Sequence, residues 1–145
     1  MPTVRHLGLI PDGARRWAKA RGVPLEEAYT VAFDKVSDAT AALYAHGVGA
    51  VSVYLLSRAN LKRTPAELDA IDAALSRFVR GTLPTLLSSW RVAVRVAGRM
   101  DHLPPETARA VPDIPASTAA AERRLYLCLA YDPFDELIRA YEAGS

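Results

Sequence analysis

The sequence predicts an α/β domain built on a mostly parallel sheet of about four strands flanked by helices. Two observations carry that expectation. Short, nearly continuous apolar runs alternate with longer segments whose apolar residues recur at helical spacing. Runs of that kind belong to parallel sheets covered on both faces, because a one-sided strand would alternate polar and apolar. With 145 residues, half of them hydrophobic, the chain forms a single domain over 1–145 with enough apolar content for a core.

The first strand is read at residues 6–10 (HLGLI), ended by Pro11, Asp12 and Gly13. Residues 15–21 form a short helix stopped by Gly22 and Pro24. From 26 to 46 the apolar residues Ala28, Val31, Ala32, Val36, Ala39 and Leu43 give a long helix, with His46 in its last turn and Gly47 as its C-cap. Residues 50–56 (AVSVYLL) are β-branched and aromatic, a second strand. Thr64, Pro65 and Glu67 then form a capping box, with Thr as N-cap, Pro at N1 and Glu at N3. The stripe Leu68, Ile71, Leu75, Phe78, Val79 and Leu83 belongs to that helix. Strands follow at 92–96 and 125–130, and a closing helix at 133–142. Between them Pro104, Pro105, Pro112 and Pro115 permit only short helical pieces.

Charge excludes one class of partner. Eighteen Lys plus Arg against sixteen Asp plus Glu give +2, too even for a nucleic-acid binder. The single Cys128 excludes a disulfide scaffold and reads as core. No apolar stretch approaches a bilayer span and residues 1–5 contain no signal core, so a cytoplasmic protein with at most peripheral membrane contact is expected.

In parallel sheets ligands sit beyond the carboxyl ends of the strands. Two such ends are informative. At 10–17 (IPDGARRW) a strand stops, Gly13 permits a tight turn and a helix starts, a geometry that binds anions through free N–H groups and the helix dipole. Arg15 and Arg16 add bidentate donors. Asp12 either joins an anion through a divalent cation or caps the helix, and the pattern alone leaves both open. At 57–63 (SRANLKR) a hydroxyl, an amide and three cations follow the second strand. Alone this reads as a solvated loop, but its position beside the first end points to a polyanionic ligand. No metal-ligand spacing of His, no nucleotide-binding loop and no nucleophile elbow occurs. Trp17 and Trp90 read as packing residues.

These segments resemble the cis-prenyltransferases, the undecaprenyl diphosphate synthase family. Asp12-Gly13-Ala14-Arg15-Arg16-Trp17-Ala18 is similar to that family's Asp-Gly-Asn-Gly-Arg-Trp-Ala. Ser57, Asn60 and Arg63 match Ser-x-Glu-Asn-Trp-x-Arg-Pro. Residues 94–98 (VRVAG) resemble its third-strand motif, and 127–136, with Tyr131 and Glu136, its Asn-Tyr-Gly-Gly-Arg-x-Glu. The resemblance implies Mg²⁺ and an allylic diphosphate held by Asp12, with the diphosphate also on Gly13, Ala14, Arg15, Arg16 and Arg63. It implies Ser57 and Asn60 near the reacting centre, and a prenyl tunnel or pocket touched by Trp17, Tyr29, Leu56 and Arg58. It also implies a dimer.

The departures from the family pattern sharpen the reading. Ala14 and Arg15 replace Asn and Gly, Tyr29 and Thr30 replace His and Arg, Ala59 replaces Glu, and Asp132-Pro133-Phe134 replace Gly-Gly-Arg. A C-terminal Arg-x-x-x-Ser element, a further strand and a metal-site glutamate have no counterpart in these 145 residues, so a truncated version of the fold is expected. Two functions are therefore carried forward. One is a Mg²⁺-dependent enzyme on allylic isoprenyl diphosphates, acting by condensation or by ionisation and cyclisation. The other is a non-catalytic or half-catalytic subunit paired with a complete homologue.

Overall fold

The computed structural model describes residues 3–116 and 120–144. Four strands, β1 (His6–Leu9), β2 (Ala50–Tyr54), β3 (Val92–Ala97) and β4 (Arg123–Cys128), form one parallel sheet in the order β1-β2-β4-β3. Helices α1 (Ala14–Arg21), α2 (Leu25–Ala45), α3 (Pro65–Arg77), α4 (Leu83–Trp90), α5 (Pro105–Ala110) and α6 (Pro133–Gly144) connect and flank them. The α/β class and its parallel sheet are as the sequence predicts. Among the described residues between β3 and β4, α5 and two single 3-10 turns form, short pieces as the four prolines require. Residues 117–119 of that connection lie outside the described ones.

The register explains the core. Leu7, Val51, Leu125 and Val94 lie side by side, as do Leu9, Val53, Leu127 and Val96. In a parallel sheet those residues share a face, and here they pack on α2, α3 and α4 through Phe33, Tyr44, Ile71, Leu75 and Leu83. The expectation of a sheet covered on both faces is corrected. The other face carries His6, Ser52, Tyr54, Arg95, Arg124, Tyr126 and Cys128, all exposed or half-exposed. Helix α6, which follows β4, has no buried residue to cover it. Cys128 is thus half-buried at a strand end rather than in the core, and burial raises its thiol pKa, which keeps it protonated.

The stripe from Leu68 to Leu83 runs further than one regular helix. After α3 the chain makes a π turn over Phe78–Thr82, Leu83 N–H donating to Phe78 O, and continues as α4. Pro84 is the cause: it has no N–H for a carbonyl four residues back and its ring crowds that turn, and widening the turn removes the conflict. Helix α2 ends at Ala45 with His46 as its C-cap, one residue before the expected Gly47, and His46 Nδ1 lies 2.8 Å from Ala42 O. Strand β4 starts two residues before its apolar run, because Arg123 and Arg124 pair in register with Val92 and Ala93.

One buried carboxylate ties two helices together. Asp72 of α3 is 6% exposed and accepts from Glu106 N–H at 2.9 Å, Thr107 N–H at 2.7 Å and the Thr107 hydroxyl at 2.7 Å. It supplies the N-terminal acceptors that α5, with Pro104 as its N-cap and Pro105 as its first residue, lacks locally. Asp72→Ala leaves two buried donors and one part-buried donor without their acceptor and is expected to cost about 2–4 kcal/mol in urea unfolding. A change below about 0.5 kcal/mol would show that α5 holds without this clamp.

Candidate active site

The site begins where β1 ends. Gly13 has φ +107°, in the region that only glycine enters freely, and it turns the chain from the strand into α1. No side chain caps α1, so its first-turn N–H groups are left for a ligand. Of the two readings open for Asp12, capping is not realised. Its carboxylate accepts instead from Arg16 Nη2 at 2.9 Å, one turn on, with both side chains largely exposed.

The second loop is held by the neighbouring strand end. Leu55 and Leu56 N–H both donate to Cys128 O, Tyr131 N–H donates to Leu56 O and Arg58 N–H to Tyr131 O. Inside it Ser57 and Asn60 brace each other: Asn60 N–H donates to Ser57 Oγ and Ser57 N–H to Asn60 Oδ1, each at 3.0 Å. Both side chains thereby act as acceptors toward the loop. The Ser57 hydroxyl proton and the Asn60 amide protons donate to no other described group, and both residues line the cavity.

Behind this loop lies a charged cluster. Arg63 Nη1 donates to Tyr29 Oη at 2.6 Å across from α2. Glu67 stands 3.9 Å from Arg15 and 4.0 Å from Arg63. Burial pushes the Tyr29 phenol above its ordinary pKa and the guanidinium groups of Arg63 and Arg15 pull against that, so Tyr29 stays protonated at neutral pH. Its own proton remains available to the cavity.

These parts enclose a cavity of about 1040 Å³. Its polar lining comes from Asp12, Gly13, Ala14, Arg15, Arg16, Ser57, Asn60 and Arg63. Its apolar lining comes from Leu9, Leu55, Ala32, Phe33, Val36, Ala39 and Ile71, and Tyr29 offers both a ring and a hydroxyl. Helix α2 therefore supplies most of the wall and α3 contributes Ile71. Three expected tunnel residues lie elsewhere. Trp17 sits under Arg21 at 5.5 Å, Leu56 is fully buried in the core, and Arg58 faces a separate groove while pairing with Asp135 at 3.5 Å.

Lys19, Lys35 and Tyr54 line the cavity and were not singled out in the sequence. Lys19 was findable, being one helical turn from Arg15 and Arg16 on the same short helix. Lys35 was hidden within the periodicity of α2. Among the described residues, five cations and one carboxylate line this space, an arrangement suited to a multiply charged anion with an apolar tail.

No group of three His, Cys, Asp or Glu capable of holding a metal exists among the described residues. Mg²⁺ does not need one: it binds through one or two carboxylates, waters and substrate phosphates. An exposed Asp12 at the mouth of a cationic cavity fits that mode, in which the phosphate completes the site.

The chain is similar to known proteins over nearly its whole length. Residues 10–144 match the family model for undecaprenyl diphosphate synthase. An isoprenyl transferase of Deinococcus radiodurans is 33% identical over 141 residues, which is 96% of this chain and 52% of that protein. A tritrans,polycis-undecaprenyl-diphosphate synthase (GGDP specific) of Sulfolobus acidocaldarius is 32% identical over 138 residues, covering 93% and 53%. The crystal structure of lavandulyl diphosphate synthase from Lavandula x intermedia in complex with dimethylallyl diphosphate shares the fold, with a TM-score of 0.87 at 23% identity over 96% of this chain and 60% of that one. The chain spans about half the length of the curated relatives it matches. By the family match over nearly its whole length, this chain belongs to the undecaprenyl diphosphate synthase (isoprenyl transferase) family.

Proposed function

We propose that the chain binds an allylic isoprenyl diphosphate in this cavity and catalyses loss of its diphosphate, followed by prenyl transfer or by cyclisation. The observation that carries the reading is one cavity lined both by five cations and by an apolar surface drawn mostly from α2, with Tyr29 of α2 hydrogen-bonded to Arg63. The diphosphate lies on the α1 amides after Gly13 and on Arg16, Arg15 and Arg63, and the prenyl chain runs along Ala32, Phe33, Val36 and Ala39. Asp12 is the residue that would hold Mg²⁺, which when bound neutralises charge on the leaving diphosphate.

The chain's own groups then have defined tasks. Arg16 and Arg63 bind the diphosphate oxygens as negative charge grows on them, and fixed donors of this kind stabilise developing charge without reorganising. The Ser57 hydroxyl, the Asn60 amide and the Tyr29 phenol donate toward the same oxygens. The apolar wall keeps water from the allylic cation. In transfer, the C–O bond breaks with its electron pair on the diphosphate, the alkene of isopentenyl diphosphate forms the new C–C bond, and the proton then lost from the condensed cation goes to the departing diphosphate or to solvent. In cyclisation a second alkene of the same prenyl substrate attacks the allylic cation in place of isopentenyl diphosphate, and the ring cation then loses a proton to the departed diphosphate or to solvent.

The test is incubation with Mg²⁺ and dimethylallyl, geranyl or farnesyl diphosphate, with and without isopentenyl diphosphate, read by mass spectrometry. Longer diphosphates establish transfer, and products formed without isopentenyl diphosphate establish ionisation of a single substrate. Absence of product in every tube contradicts an enzyme acting alone and favours a second reading, a non-catalytic or half-catalytic subunit that pairs with a complete homologue. The observation favouring that reading is the open sheet face beside α6, whose Phe134, Leu137, Ile138 and Tyr141 are 57–76% exposed on one helical stripe. No described helix is long and apolar enough to cross a membrane.

A further inference from the structure

Glu67 points away from where its place in the sequence would send it. At the third position after a capping threonine, a glutamate reaches back to the threonine N–H. Thr64 Oγ1 does accept from Glu67 N–H, at 3.3 Å, so half of the box forms. The carboxylate turns the other way, Oε1 lying 3.9 Å from Arg15 Nη1 and Oε2 4.0 Å from Arg63 Nε. Arg15 and Arg63 line the cavity and Glu67 does not, so it stands behind them.

We infer that Glu67 is an internal counter-anion for Arg15 and Arg63, and that its charge, acting through those two arginines, sets how tightly the cavity holds a diphosphate. The inference rests on the reading of this cavity as a diphosphate site. Two opposite effects of Glu67 have to be weighed. A carboxylate hydrogen-bonded to both guanidinium groups would orient them and strengthen anion binding. A carboxylate that only shares their charge weakens it, because the diphosphate must compete for the same cations.

The distances decide between the two. Both contacts are within ion-pair range but beyond the roughly 3.2 Å limit of an N–H···O bond, so neither arginine is aimed by Glu67. Arg63 is aimed from the opposite side, by Tyr29 at 2.6 Å. Glu67 therefore contributes charge and not geometry. That charge is only 23% exposed, so solvent screens it incompletely. A site that must also release pyrophosphate after each turnover benefits from this damping, since product and substrate share the same cations.

The experiment titrates inorganic pyrophosphate calorimetrically into wild type, Glu67→Gln, Glu67→Asp and Arg63→Gln, at low and at physiological salt, with a thermal melt of each. Glu67→Gln is expected to bind about ten-fold tighter than wild type, with the gap narrowing at higher salt. Glu67→Asp keeps the charge and is expected to bind as wild type does, while Arg63→Gln binds about ten-fold weaker or worse. In turnover, Glu67→Gln lowers KM without raising kcat. A merely structural role would move the melting temperature and leave affinity unimproved.

If wild type binds and Arg63→Gln is impaired, yet Glu67→Gln is no tighter than wild type, the counter-anion is overturned and the diphosphate site stands. If wild type does not bind pyrophosphate, or Arg63→Gln binds equally well, the site reading itself fails and this inference goes with it. Glu67→Ser removes the same charge with a different side chain, so a folding defect in one variant leaves the other to decide.

Discussion

Asp12→Ala is expected to reduce turnover of an allylic diphosphate by about 10²–10³-fold or more while leaving the fold intact. The fold is spared because the carboxylate is largely exposed and its pairing with Arg16 lies at the surface, where an ion pair contributes little to stability. The loss of activity follows from charge. A lone carboxylate beside a diphosphate is repulsive unless a cation joins them, so Asp12 either serves Mg²⁺ or hinders the substrate. If its role were only to pair with Arg16, its removal would free that arginine and tighten diphosphate binding. Steady-state kinetics over a Mg²⁺ series, together with a thermal melt, separate the two. Undiminished turnover in a folded Asp12→Ala protein contradicts the metal-holding role.

The second large effect is on folding. Gly98 follows β3 with φ +122°, and a Cβ built there would lie 1.9 Å from Leu129 O, 2.9 Å from Leu129 C and 3.2 Å from Ala130 C. All three contacts are backbone, and the backbone cannot retreat. Leu129 N–H donates to Ala97 O at 2.9 Å and Arg99 N–H to Ala130 O at 3.2 Å, which locks the two strand ends together. Ala130 itself has φ +47°, an unusual conformation for alanine, so this crossing already stores strain. Gly98→Ala is expected to cost about 4 kcal/mol or more, enough to leave little folded protein. Circular dichroism and a melt check it, and a well-folded Gly98→Ala protein with an unchanged melting temperature would contradict the close approach. The second loop would suffer with the fold, because Tyr131, one residue after Ala130, is what Leu56 and Arg58 bond to.

These particulars show what the sequence carried and what it did not. The first loop was legible because its features are contiguous: Asp12, Gly13 and Arg16 stand within one turn, and the glycine marks the only conformation that lets β1 feed α1. The cap of α3 was legible for the same reason. Its partner Glu67 was not, since a local pattern sends the carboxylate to Thr64, and only the folded chain brings Arg15 and Arg63 within its reach. The open sheet face did leave a signal. His6 and Gly8 alternate with Leu7 and Leu9, and Arg124, Tyr126 and Cys128 with Leu125 and Leu127, which is the pattern of a strand half in contact with water. Read as continuous apolar runs, those strands pointed to two covered faces. The π turn was marked only by Gly81 within the stripe and by Pro84 directly after its last residue, Leu83. Trp17, Leu56 and Arg58 lay close in sequence to site residues, but neighbours along a helix or past a strand end point to different sides.

The central claim is that one cavity holds a diphosphate on Arg16 and Arg63 and a prenyl chain on α2. Calorimetric binding of an unreactive thiolo analogue of farnesyl diphosphate, in the presence of Mg²⁺, tests it most directly. The account predicts one molecule bound per chain, with binding weakened about ten-fold or more by Arg63→Ala and likewise by Arg16→Ala. It also predicts weakening when Ala39 on the apolar wall is replaced by aspartate. No binding, or binding indifferent to all three substitutions, would contradict the account.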